Sequence, residues 1–213
     1  MLTSNADHRV ARRQYLAGWR LVILSACVLG WSGQTFGQSS KNWTLNDVMQ
    51  VLSGIRFIES SFVETKRSIF LTEELELKGT INYRAPDRLE KNIAQPFEER
   101  IVIDGDELVI SRPGDENRVR RYSLDANPVV RKIIDSIRAT LAGDLSILEQ
   151  NYRANLWGEE SEWELHLIPR DAELLEIIEQ IRIRGAQGRI IEVQTTETDG
   201  DEATLQLTYN TVK

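Results

Sequence analysis

Residues 74–85 read ELELKGTINYRA, and their period is two. Leu75, Leu77, Gly79, Ile81, Tyr83 and Ala85 fall on one side of an extended chain, while Glu74, Glu76, Lys78, Thr80, Asn82 and Arg84 fall on the other. Because strand side chains point alternately to opposite faces, this pattern predicts an antiparallel strand that is dry on one face and solvated on the other. Working outward, Pro86-Asp87 turns the chain, RLEKNI forms the next strand, and Gln95-Pro96 interrupts it before ERIVI, since proline cannot donate to a ladder. Asp104-Gly105 predicts a tight hairpin into ELVIS, and VRRYSL supplies one more strand.

Upstream, Thr44 followed three residues later by Asp47 predicts a capped helix with Leu45, Val48, Met49 and Leu52 on one face and Gly54 as its stop. Residues 55–71, IRFIESSFVETKRSIFL, fit either a short helix or a direct run into the first strand. Downstream, the period becomes helical at Asn127, with Pro128 at the first helical position. Val129, Val130, Ile133, Ile134, Ile137 and Leu141 make an apolar stripe facing away from Arg131, Lys132, Asp135 and Arg138. Gly143 ends that helix, and Asp144 caps a short one containing Leu145 and Leu148. Strand patterns then return in ANLW, EWELHLIP, EIIEQIRIRG, GRIIEVQTTE and EATLQLTYN, with turns at Gly185 to Gly188 and at Asp199-Gly200. Helices segregated from a large antiparallel sheet define an α+β domain.

The chain has 213 residues, enough for one well-buried domain, and its 41% hydrophobic and 28% charged content is that of an ordinary globular protein. Its first 37 residues differ from the rest. Arg9, Arg12, Arg13 and Arg20 precede LVILSACVLGW, and a run of small residues ends at Thr35-Phe36-Gly37. That is the layout of an export signal, 1–37, followed by a linker, 38–43, and a single domain, 44–213. Arg12-Arg13 also resembles a twin-arginine signal, and both routes lead to the periplasm. Leu24-Ser25-Ala26-Cys27 matches the box at which lipoproteins are acylated, yet the apolar run continues past Cys27 through Val28, Leu29 and Trp31. Cleavage near Gly37 is therefore expected. Acylation at Cys27 would instead give a membrane-anchored receptor. Removing a segment of net charge +3 from a chain of −7 leaves about −10, which argues against a nucleic-acid partner. It also leaves no cysteine, so thiol catalysis and disulfides drop out.

Catalytic candidates are few. His8 lies in the signal, and His166 sits between Leu165 and Leu167 on the Glu164 face of a strand, where a solvated surface residue is expected. IDGDE at 103–107 and TDGDE at 198–202 are too short for calcium loops and read as hairpin turns. No phosphate loop, dinucleotide fingerprint or zinc motif occurs, and no cofactor or metal is expected. An exported hydrolase using scattered carboxylates is the weakest alternative, with no localised site to support it. An apolar helix face opposite an apolar sheet face fits a solid core on periodicity alone.

The ordered set LKGTINYRAPDRLEKNIAQPFEERIVIDGDELVI, preceded by SSFVETK and followed by WELHLIP and RGAQGRIIEVQTTETDGDEATLQLTY, resembles the LolA-like periplasmic carriers of outer-membrane lipoproteins over residues 44–209. The resemblance implies an incomplete, strongly curved antiparallel β-barrel covered by a helical lid, with a lipid-binding cavity between them and no enzymatic activity. It implies acylated lipoprotein or lipid cargo, an inner-membrane donor complex and an outer-membrane acceptor, and a monomeric carrier. The cavity residues would be Leu77, Ile81, Tyr83 and Leu89 of the sheet with Ile133, Ile137 and Leu141 of the lid. The family commonly places an inward arginine immediately before the proline to latch the lid. Here that position is Ala85, and alternation turns Arg84 outward unless a bulge resets the register. Arg84 and Lys91 remain candidate lid or headgroup contacts, Lys91 sharing the face of Leu89 and Ile93. The sequence ends at LTYNTVK, where members of the family generally run further.

Overall fold

A computed structural model describes residues 43–69 and 71–213. The proposed export signal, with Cys27, lies outside the described residues. Helix α1 (Leu45–Ser53) starts at a reciprocal cap, in which the Asp47 amide donates to Thr44 Oγ1 and the Thr44 amide donates to Asp47 Oδ2. The chain then runs directly into β1 (Phe57–Arg67), so the segment left open by its periodicity is a strand. β2 (Leu75–Arg84), β3 (Arg88–Gln95), β4 (Glu99–Asp104) and β5 (Glu107–Arg112) follow as successive hairpins, turned where prolines and Asp104-Gly105 predict. β6 (Asp115–Ser123) begins four residues earlier than VRRYSL suggests, because Gly114 already provides a positive-φ turn.

Helix α2 (Pro128–Ala142) ends at Gly143, whose φ is 68°. A Cβ there would sit 2.1 Å from the Met49 carbonyl oxygen, so the glycine allows both the left-handed cap and the close approach of α2 to α1. Asp144 accepts from the Ser146 and Ile147 amides and caps α3 (Leu145–Asn151). β7 (Tyr152–Glu159) and β8 (Glu162–Pro169) form a hairpin, and a one-turn helix α4 (Ala172–Leu175), capped by Asp171, precedes β9 (Ile178–Ala186). The strand expected from Glu176 thus starts two residues later. β10 (Arg189–Glu197) and β11 (Glu202–Val212) complete the chain.

The described strands form one eleven-stranded antiparallel sheet in the order β6-β5-β4-β3-β2-β1-β11-β10-β9-β8-β7. It is curved and does not close, leaving β6 and β7 as edges. The two N- and C-terminal ladders meet where β1 pairs β11 through Phe62↔Leu207 and Glu64↔Leu205. Register then carries one set of side chains across the whole inner face: Phe62 and Glu64 on β1, Leu77, Ile81 and Tyr83 on β2, and Leu89, Lys91 and Ile93 on β3. Ile101 and Ile103 on β4 continue it, as do Leu165 and Leu167 on β8 and Ile181 and Ile183 on β9. At Gly79 a side chain is impossible, since a Cβ would lie 1.8 Å from the Asn92 carbonyl oxygen at the β2–β3 bulge. The outer face is polar and laced with ion pairs such as Arg100–Glu90 and Arg184–Glu192. There the Arg100 hydrogen bond holds the Glu90 carboxyl below its ordinary range.

The four α-helices among the described residues lie on the inner side, but their cover is uneven. Against β7–β10, Val48, Met49 and Leu52 of α1, Leu148 of α3 and Leu174 of α4 pack on Trp163, Leu165, Leu167 and Ile183 in one buried cluster. Trp163 is 1% exposed, and its indole fills the space that a Gly185 side chain would need. Over β1–β5 the buried groups are smaller: Phe62 with Leu77 and Ile93, and Ile103 with Leu124 and Ile134.

Candidate functional site

Helix α2 lies between these two kinds of packing. Consecutive helix residues are 100° apart, so Val130 and Ile137 occupy the middle of its apolar stripe, with Ile134 on one margin and Ile133, Ser136 and Thr140 on the other. Ile134 is buried against Ile103 and Leu124. Ser136 and Thr140 are buried as well, each hydroxyl donating back to a carbonyl one turn earlier. Ile133 packs with the Trp163 cluster. Yet Val130 is 37% and Ile137 40% exposed. A helix lying flat on a core buries the centre of its stripe most deeply. Here the flanks are buried, and so is Ala139 on the reverse of the helix, while Val130 and Ile137 are open, so α2 is supported on every side but theirs.

The supports are also polar. Arg131 Nη2 donates to Asp106 Oδ1 at 2.8 Å and to Asp125 Oδ1 at 2.6 Å. Arg138, whose side chain is largely buried, donates to the Gly105 carbonyl of the β4–β5 turn. On the back of α2, Lys132 Nζ donates to Oδ2 of Asp171, the cap of α4, at 2.8 Å and to Glu173 Oε2 at 3.0 Å. The Asp106 hydrogen bond raises the Arg131 pKa, and the Asp171 hydrogen bond raises that of Lys132 while Lys132 lowers that of Asp171. These three basic residues, which the stripe assigns to the solvent side, are tethers. Arg138 and Arg131 adjoin the stripe margin, close enough for a long side chain to reach the sheet.

The seven residues implied as a cavity do not all line one space. Leu77 is buried with Phe62 and Ile93, and Ile81 is half-buried beside them. Tyr83 is fully buried and donates through its phenol to the Pro86 carbonyl at 3.3 Å, so it is packing against its own turn; burial pushes that phenol pKa up. Leu89 packs at the Ile103 margin, and Ile133 and Leu141 pack on the Trp163 cluster. Ile81 and Ile137 are the members left open.

Arg84 is exposed on the outer face, away from α2, beside a depression of about 310 Å³ bounded by Glu59, Arg88 and Glu90. β2 keeps its alternation through this position, and no bulge brings the arginine inward. Lys91 faces inward, where its Nζ lies 2.7 Å from Glu64 Oε2 and 4.8 Å from the centre of the Phe62 ring. It contacts neither Arg84 nor the lid tethers. Half-buried Ile101, Leu205 and Leu207 complete this part of the face and were readable from strand alternation in ERIVI and EATLQLTYN. Glu64 had no such signal, because an acid at an inward position breaks the pattern.

Of the other candidates, His166 lies on the outer face against Glu164 and the edge of Trp157. The two Asp-Gly sequences are turns; Asp104 pairs with Arg88, and Asp106 with Arg131. Among the described residues no group of three His, Cys, Asp or Glu side chains is placed to hold a metal, and no helix is long and apolar enough to cross a membrane. Tyr209 closes the inner face near β10: its hydroxyl donates to the Ile190 carbonyl and accepts from the Ile190 amide, and burial pushes its pKa up to about 12.

An unclosed, curved antiparallel sheet with helices on its inner side, one of them tethered at the β4–β5 turn and at α4, defines a half-barrel domain whose inner face is packed at β7–β10 and half-buried at Ile81 and Ile101. No curated protein matches the chain. The chain belongs to the family described as outer membrane lipoprotein carrier protein LolA-like, whose profile matches residues 38–210. Similar solved structures include a LolA superfamily protein of Nitrosomonas europaea, with 11% identity, TM-score 0.41, and coverage of 80% of this chain and 93% of that one. They also include the MucA/MucB complex of Pseudomonas aeruginosa, with 16% identity, TM-score 0.45, and coverage of 79% of this chain. This chain spans 56% of the matched chain in that complex.

Proposed function

We propose that this protein is a periplasmic carrier that takes acylated cargo, a lipoprotein or a related lipid, into the space beneath α2 and moves it from the inner to the outer membrane. It receives that cargo from an inner-membrane donor complex, releases it to an outer-membrane acceptor, and works as a monomer without covalent chemistry. The observation that carries the reading is the burial of α2: its flanks are fixed, while Val130 and Ile137 are exposed, and the sheet's inner face at Ile81 and Ile101 is only half-buried. Burying each methylene is worth about 0.8 kcal/mol, so an acyl chain of ordinary length crosses water only when sheltered. Ile81, Ile101, Leu205 and Leu207 supply the floor, and Ile137 and Val130 the roof.

Displacement of a fluorescent fatty acid by a synthetic diacylglyceryl-cysteine peptide tests this. Wild-type protein binds both ligands, and Ile137→Asp weakens both at least tenfold with little change in urea stability, because the substituted side chain is already in water when the site is empty. Failure of either ligand to bind, or an Ile137→Asp variant that binds unchanged, contradicts the reading.

A further inference from the structure

The Glu64–Lys91 pair is out of keeping with its surroundings. Across the strands, Glu64 sits between Leu77 and Leu205, and Lys91 between Ile81 and Ile101. The Glu64 side chain is 10% exposed and that of Lys91 21%. Two desolvated charges on an apolar face gain little net stability, since desolvation offsets most of their attraction, and a pair of hydrophobic residues would hold the sheet as well. Their asymmetry points to use in binding. Glu64 is the more buried and is acceptor-only, whereas Lys91 is the more exposed and its ammonium has three donors. One donor goes to Glu64, and the Phe62 ring fixes the ammonium without taking an acceptor's place.

We propose that Lys91 is the headgroup anchor of the apolar site, that it takes the anionic head of an amphiphile, carboxylate or phosphate, and that Glu64 is the counter-charge holding it ready while the site is empty. This rests on the reading that the inner face accepts acyl chains. Lys91 stands between Ile81 and Ile101 in one cross-strand row, so a chain packed on either isoleucine brings its head within reach of the ammonium. Glu64 competes with the incoming anion and keeps its affinity moderate, as a carrier that must release requires.

Isothermal titration with palmitate, hexadecyl phosphate and hexadecanol provides the test, as the three share a chain length and differ in head. Wild-type protein binds the two anions at least tenfold more tightly than the alcohol, and the tighter of the two anions identifies the head. Lys91→Met abolishes that preference while still binding hexadecanol, and Glu64→Gln strengthens anion binding several-fold by removing the competitor. Equal affinity for all three ligands in the wild type overturns the anchor while leaving the apolar site intact, and needs no variant to fold. Binding of none of them overturns the apolar site as well. A Glu64→Gln variant that melts with wild-type cooperativity and binds anions no more tightly also contradicts the assignment.

Discussion

The β7–β10 end of the sheet and the β1–β5 end are built on the same alternation, but they are covered differently. At the first, α1, α3 and α4 bring large side chains onto Trp163, Leu165 and Leu167, and the inner face disappears into a core. At the second, the cover is Leu124 and α2, which touches at Ile134 and through Arg131 and Arg138, and Ile81, Leu89, Ile101 and Leu108 stay half-buried. Apolar surface in contact with water is a cost that folding normally removes. On the proposed function, a protein that removes it at one end of a continuous sheet and keeps it at the other separates stability from binding. The comparison can be broken by any variant that moves function to the packed end or stability to the open one.

The largest effect is expected at the packed end. Trp163→Ala empties the space over Gly185 and should cost about 3–5 kcal/mol in urea unfolding, whereas Ile81→Ala, at a half-buried position, should cost about 1 kcal/mol or less. Comparable losses would mean that the open face is ordinary core. Next in size is the lid. Lys132→Met or Arg138→Gln should raise hydrogen exchange in α2 while leaving β8 and β9 protected, because each removes one tether of α2 and no contact of those strands. Uniform acceleration across the sheet would make the tethers part of global stability.

The tether to α4 also has a pH signature. Asp171 is held below its ordinary pKa, so its contribution is present above about pH 4 and is lost as pH falls through the lowered value. Lys132 is raised, so its contribution holds below about pH 10 and is lost as pH rises beyond that. A nitroxide at residue 130 should therefore be least mobile between these limits and loosen on acidification below about pH 4. Lys132→Met should already be loose at neutral pH and show little further acid response. The smallest effect belongs to the outer face, where His166→Ala should change stability by about 0.5 kcal/mol or less and leave lipid binding unchanged.

The fold was largely legible because its signals are local. Period-two segments, Gln95-Pro96, Asp104-Gly105 and the Thr44–Asp47 cap each predict an element where one stands. The start of β6 and the single turn of α4 were not, since neither carries an apolar period of its own. The site was legible only in part. Periodicity identifies which residues face inward, so Leu77, Ile81 and Lys91 were placed on the right face, but it says nothing about what lies opposite them. Tyr83 and Ile137 carry equal weight in the pattern; one is packed against Pro86 and the other is in water. Arg131, Lys132 and Arg138 read as solvent residues because a long side chain at a stripe margin can turn either way. Glu64, the counter-charge of the proposed headgroup site, was the least legible, being a charge where the alternation calls for an apolar residue.

Hydrogen–deuterium exchange with and without a diacylglyceryl-cysteine peptide addresses the central claim most directly, because it reads both ends of the sheet in one experiment. The peptide should slow exchange in α2 and in β1 to β4 and β11, and leave β7 to β9 as they were. Protection confined to β7–β9, or no protection anywhere at saturating peptide, would contradict an acyl-chain site beneath α2.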